Sequence, residues 1–147
     1  MEAVYPFAHI IHLLLAIAFL GYVFSDVTII STITKKFKGD VGKDINQTLG
    51  KRSFKIFPIT LLFIILTGGM MMSRYLNSTD GFFQTDLQKI LVFKIFLALI
   101  IVSGVLLNLF TKFTGREKSN FMQNHFHKLV LVLGILIVIS AKYMYIV

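Results

Sequence analysis

YPFAHIIHLLLAIAFLGYVFSDVTIIS, residues 5–31, is an apolar run whose one charge is Asp26 and whose first third holds His9 and His12. The hydrocarbon core of a bilayer takes about 20 apolar residues in helical form, at about 1.5 Å each. This run is long and apolar enough to span it, and the helix it predicts ends near Thr34. Imidazoles in hydrocarbon face neighbouring helices or a polar site rather than lipid. At about 100° per residue, Tyr5, His9, His12, Ala16 and Phe19 share one sector of this helix. Ala18, Gly21 and Ser25 form a small-residue stripe opposite, where another helix can approach closely.

Working outward, the rest of the chain repeats the pattern. Of 147 residues, 56% are hydrophobic, and the mean hydropathy of +0.79 is too high for a soluble domain of this length. Three further apolar runs predict helices over residues 57–75, 87–112 and 125–147, joined by polar stretches. Pro58 falls in the first turn of the first of these, where proline is tolerated. The stretch Lys35–Lys55 reads as a polar loop. The expected fold is therefore all-α and integral to the membrane: a single domain over residues 1–147, built as an antiparallel bundle of four transmembrane helices. The lipid bilayer is its first partner.

Charge orients the helices. The net charge of +8 comes from 15 Lys and Arg against 7 Asp and Glu. In a membrane protein such an excess reports topology rather than nucleic-acid binding. The Lys35–Lys55 stretch carries seven of these basic residues. The next charged cluster is Lys112, Arg116, Lys118 and Lys128, whereas the stretch between the second and third helices has Arg74 and Lys89. Positive residues stay inside, so both termini are expected outside, on the periplasmic face of the cell inner membrane. Cysteine is absent, which excludes disulfides, thiolate metal sites and iron–sulfur ligation. Trp is also absent, leaving Tyr5, Tyr75, Tyr143 and Tyr145 as interfacial anchors.

Depth then sorts the polar groups. His9 and His12 lie about 6–10 Å below the outer end, and Lys94 about as deep in the third helix. Lys142 and Arg74 sit near the outer ends of their helices. These five side chains are expected to converge in the outer leaflet. Helical phase agrees: Lys94, Ala98, Ile101, Val105 and Asn108 share one side of the third helix, and Thr60, Thr67, Met70 and Arg74 one side of the second. His125 and His127 begin the fourth helix at the opposite membrane face, about 30 Å from His12.

Short motifs in these helices carry a resemblance. Ile11-His12-Leu13-Leu14 followed by Phe19-Leu20-Gly21 resembles the first helix of the copper-resistance D (CopD) membrane domain, with Phe19 where that family usually has Trp. Lys51-Arg52-Ser53 leading to Leu66-Thr67-Gly68 resembles its second helix, and Leu91-Val92-Phe93-Lys94 ending in Leu107-Asn108 its third. The related HemJ family, oxygen-independent protoporphyrinogen oxidases, shares the positions of His12 and Lys94. The resemblance implies a haem b or a copper site at His12, with Lys94 as the candidate catalytic residue of a haem-dependent oxidoreductase.

Three readings follow. In the first, His12 ligates haem iron and His9, Arg74, Lys142 or Lys94 pair the propionates, giving a protein of redox chemistry or haem metabolism with an unspecified redox partner. In the second, His9 and His12 with Met70 and Met71 form a soft site for copper binding or translocation. In the third, no cofactor is bound. The chain is then a subunit or assembly factor of a larger membrane complex or homo-oligomer.

Overall fold

The computed structural model describes residues 5–75, 85–116, 125–144 and 146, with the side chains of Arg74 and Tyr75 excepted. Every described regular element is helical. The chain divides into two units, Met1–Met71 and Met72–Val147.

In the first unit, α1 runs Tyr5–Ser25, with Pro6 in its opening turn. A π-helical turn, Asp26–Ile30, follows without a break and passes into α2, Ser31–Lys36. The three form one rod of 32 residues. Its last part is rich in Ser and Thr. Their hydroxyls donate back to the preceding turn, as in Thr28 to the Phe24 carbonyl at 2.7 Å and Thr32 to the Thr28 carbonyl at 2.8 Å. Hydroxyls in an apolar helix satisfy themselves in this way, and the habit loosens the helix locally.

The rod ends at a tight reversal. Phe37 leaves the helical region, and Gly39 takes φ 95, which only glycine adopts without strain. A Cβ on Gly42 would run into the Phe37 carbonyl, so the returning helix starts as close as backbone allows. That helix, α3, spans Asp40–Tyr75. Here the structure corrects the sequence reading: the stretch expected as a loop to Lys55 is mostly helix, and Pro58 lies inside α3 rather than in its first turn. The reason is local. Residues 40–55 contain no proline, Asp40 favours the helix N-terminus, and Ile45 and Leu49, one turn apart, are both half-buried. Hydropathy marks only the apolar part of a helix that continues into water.

In the second unit, α4 spans Asp86–Phe113 and α5 spans Phe126–Tyr143. These bounds lie close to those expected, although Tyr145 and Val147, at the predicted end of the last helix, lie outside the described residues. Thr85 caps α4 reciprocally with Gln88: the Gln88 N–H donates to Thr85 Oγ1 at 3.2 Å, and the Thr85 N–H to Gln88 Oε1 at 3.4 Å. Leu91, Leu97, Ile101 and Val105 of α4 and Phe126, Val130 and Gly134 of α5 are buried. Gly104 makes the close approach possible, since a Cβ there would stand 2.6 Å from Phe126 Cε2.

Large apolar side chains such as Phe7, Leu14, Phe24, Phe63, Phe96 and Ile139 are exposed along every long helix. In water such surfaces would associate; in a bilayer they are solvated by lipid. Four helices, Tyr5–Lys36, Asp40–Ser73, Asp86–Phe113 and Phe126–Tyr143, are long and apolar enough to cross a membrane.

Candidate functional site in the first unit

Polar contacts join α1 to α3 on either side of a cluster of ring contacts. At one end, His12 Nδ1 lies 2.9 Å from Thr67 Oγ1. Thr67 is buried, and its hydroxyl also lies 2.7 Å from the Phe63 carbonyl and 3.2 Å from that of Ile64. A hydroxyl has one proton, and a carbonyl can only accept. The Thr67 proton therefore goes to α3's own backbone, and the hydroxyl oxygen accepts from His12 Nδ1–H. This assigns the tautomer of a neutral His12, with the proton on Nδ1 and the lone pair on Nε2. Gly68 completes the seat: a Cβ there would stand 3.2 Å from His12 Cε1, so the ring lies against bare backbone.

At the other end, the Tyr22 and Ser53 hydroxyls pair. Ser53 Oγ also donates to the Leu49 carbonyl at 2.7 Å, so by the same count Tyr22 donates to Ser53. Between the two polar pairs, the Phe19 ring packs on Phe57 with centroids 4.6 Å apart, and Tyr22 meets Phe57 edge-on at 5.2 Å. Such ring pairs lock the rotation of one helix against the other.

The face expected on the first helix is the one that packs: Tyr5, His9, His12 and Ala16 are half-buried and Phe19 is buried. His9 leans on Tyr5, with ring centroids 6.2 Å apart. The small stripe of Ala18 and Gly21 is exposed, and a Cβ on Gly21 would meet nothing within 4 Å. On α3 the packed face is rotated from the expected one. It is centred on Phe57, Leu61, Ile64, Thr67, Gly68 and Met71, and leaves Met70 about half exposed, at 52%. Met70 lies about 110° round the helix from the middle of the Thr67–Gly68 edge that meets His12. The four candidate copper ligands thus do not share one face, while Met71 stays half-buried on the packed side.

Lys94 and Lys142 belong to the second unit. Lys94 is half-buried on α4 on the same side as buried Ile101 and Val105, as its phase predicted, and has no ion-pair partner among the described residues. Asn108, farther along that side, has a buried Oδ1 with no hydrogen-bond donor among the described residues. Lys142 is exposed in the last turn of α5, where a cation suits the helix dipole. The Arg74 side chain lies outside the described residues. His125 precedes α5 and is exposed, and His127 is half-buried, its ring 5.8 Å from that of Phe126. Among the described residues no three His, Asp or Glu side chains gather as a metal-binding cluster.

Sequence reasoning placed Thr67 on the inner face but missed its pairing with His12. It missed the pairing of Tyr22 with Ser53 altogether, since a tyrosine and a serine 31 positions apart carry no spacing signal.

These features define an integral membrane protein with four membrane-crossing helices. No family model matches the chain, and no curated protein and no solved structure matches it.

Proposed function

We propose that the protein binds haem b through His12 and acts in redox chemistry or haem metabolism, in the manner of the CopD and HemJ proteins its helices resemble. One observation carries the reading: His12 Nδ1 lies 2.9 Å from the hydroxyl of Thr67, whose own proton goes to the Phe63 carbonyl, an arrangement in which the ring donates through Nδ1–H. Histidines that ligate metals are set in this way, with the second ring nitrogen donating to a fixed oxygen that orients the ring and raises its basicity. The donor chemistry of His12 therefore fits an axial ligand. Haem b, when bound, supplies one-electron redox chemistry. The chain's own part is to orient His12 through Thr67 and to clear room for the ring at Gly68. His9, about one turn nearer the helix start, is placed to meet a polar group at the interface. Lys94, a half-buried cation in an apolar helix, is the residue of the second unit that we propose to serve chemistry.

Absorption spectra of the purified protein, oxidised and dithionite-reduced, test the proposal. Wild type is expected to show a Soret band that His12→Ala abolishes and His9→Ala largely keeps. A double alanine variant of His125 and His127 is expected to keep it as well. A wild type without a Soret band, but with copper lost equally from His9→Ala and His12→Ala, would establish the copper reading instead. Neither Soret band nor copper would leave a cofactor-free subunit of a membrane complex.

A further inference from the structure

Beside the Tyr22–Ser53 pair, α1 and α3 part to leave a groove of about 160 Å³, lined among others by Ala18, Phe19, Tyr22, Arg52, Ser53 and Phe57. It is independent of His12, which does not line it. Its two ends differ in chemistry. Phe19, Phe57 and Ala18 make one end apolar. Arg52 stands at the other, exposed and with no ion-pair partner among the described residues. The polarity change along α3 places the groove in depth. Ile56 opens the apolar run that continues to Met72, and Arg52 lies one turn before it, about 6 Å farther out. The groove therefore straddles the boundary between hydrocarbon and headgroups, with its cation on the headgroup side.

We propose that this groove holds one anionic phospholipid of the surrounding bilayer, its phosphate on Arg52 and a segment of acyl chain against Phe19 and Phe57. Charge complementarity selects the occupant. Residues 26–55 carry seven Lys and Arg against three Asp, namely Asp26, Asp40 and Asp44, so this stretch of the chain favours a net negative headgroup over a zwitterionic one. A basic pocket between transmembrane helices is a recurring means of retaining anionic lipids. Size agrees: the volume is below the roughly 300–1,000 Å³ of a small-molecule site, so it suits part of one chain rather than a whole cofactor. The Tyr22 and Ser53 hydroxyls are already paired with each other, which leaves Arg52 as the group that recognises the phosphate.

The test is native mass spectrometry of the full-length protein released from nanodiscs of equal phosphatidylglycerol and phosphatidylcholine. Wild type is expected to retain phosphatidylglycerol over phosphatidylcholine by about fivefold, and Arg52→Ala to bring the ratio close to unity. Lys51→Ala removes the same charge from a neighbour that does not line the groove, and is expected to keep the preference. Ala18→Leu fills the groove without touching charge, and is expected to lower retained lipid of both kinds while circular dichroism stays at wild type. Absence of a preference in wild type, equal losses from Lys51→Ala and Arg52→Ala, or full retention in Ala18→Leu would each overturn the proposal. Displacement of the lipid by inorganic phosphate would do the same, by showing a free-anion site.

Discussion

Thr67 illustrates how a single hydroxyl assigns chemistry to a ring on another helix. Its proton is committed to the Phe63 carbonyl, so His12 has to donate to it, and the direction of one hydrogen bond decides the direction of the next. Thr67→Val keeps the shape and removes the acceptor. We expect a loss of about 0.5–1.5 kcal/mol, the range of interhelical hydrogen bonds in membranes, read by denaturant titration in detergent micelles. Thr60→Val is the control, because the Thr60 hydroxyl bonds the Ile56 carbonyl of its own helix at 3.0 Å. Equal stability of the Thr67 variant and wild type would mean that the His12 contact contributes nothing. The candidate ring was legible in the sequence, since a histidine amid leucines needs a partner. The partner was not, because Thr60 and Thr67 looked alike until His12 was seen to bond Thr67.

At the scale of elements, close packing of helices here depends on glycine. In the second unit Phe126 occupies the space a side chain on Gly104 would need. Gly104→Leu is expected to destabilise the α4–α5 pair by about 1–3 kcal/mol, the usual cost of overpacking. Because the two positions touch, Phe126→Ala introduced with it should recover part of that loss, a non-additivity that independent sites would not show. Thermal unfolding followed by circular dichroism reads both. Strict additivity would show that the two residues do not meet. The helix start that sequence reading missed, Asp40 instead of Phe57, belongs to this scale as well. With 36 residues, α3 is about 54 Å long, against a hydrocarbon core of about 30 Å. Its first turns project beyond the apolar layer, where hydropathy carries no signal and only the Gly39 reversal and the half-buried Ile45 and Leu49 mark a helix.

For the whole molecule, the testable property is orientation. The basic stretch Lys35–Lys55 contains the reversal between α2 and α3, and seven positive charges there resist translocation. A reporter inserted beside Lys38 is expected to read cytoplasmic, and one fused after Val147 to read outside. The opposite pattern would invert the depth assigned to His9 and His12, moving the proposed ligand to the inner leaflet. It would leave the His12–Thr67 contact itself untouched, since that contact depends on the helix pair and not on which face of the membrane it meets.

Hydropathy and periodicity alone determined the number of membrane-crossing helices, most of their ends, the packed faces of the first and third, and the need of His9, His12 and Lys94 for company. These are properties of one helix and its solvent, and each can be computed from neighbours along the chain. Only the tertiary structure decided which groups meet: Thr67 with His12, Tyr22 with Ser53, Phe126 with Gly104, and Met70 turned toward the outside. The physical reason is rotation. A helix with apolar residues all round is content with lipid on any side, so hydropathy does not specify its angle about its own axis. That angle is set by ring packing such as Phe19 on Phe57 and by the few hydroxyls and imidazoles that must pair across the gap.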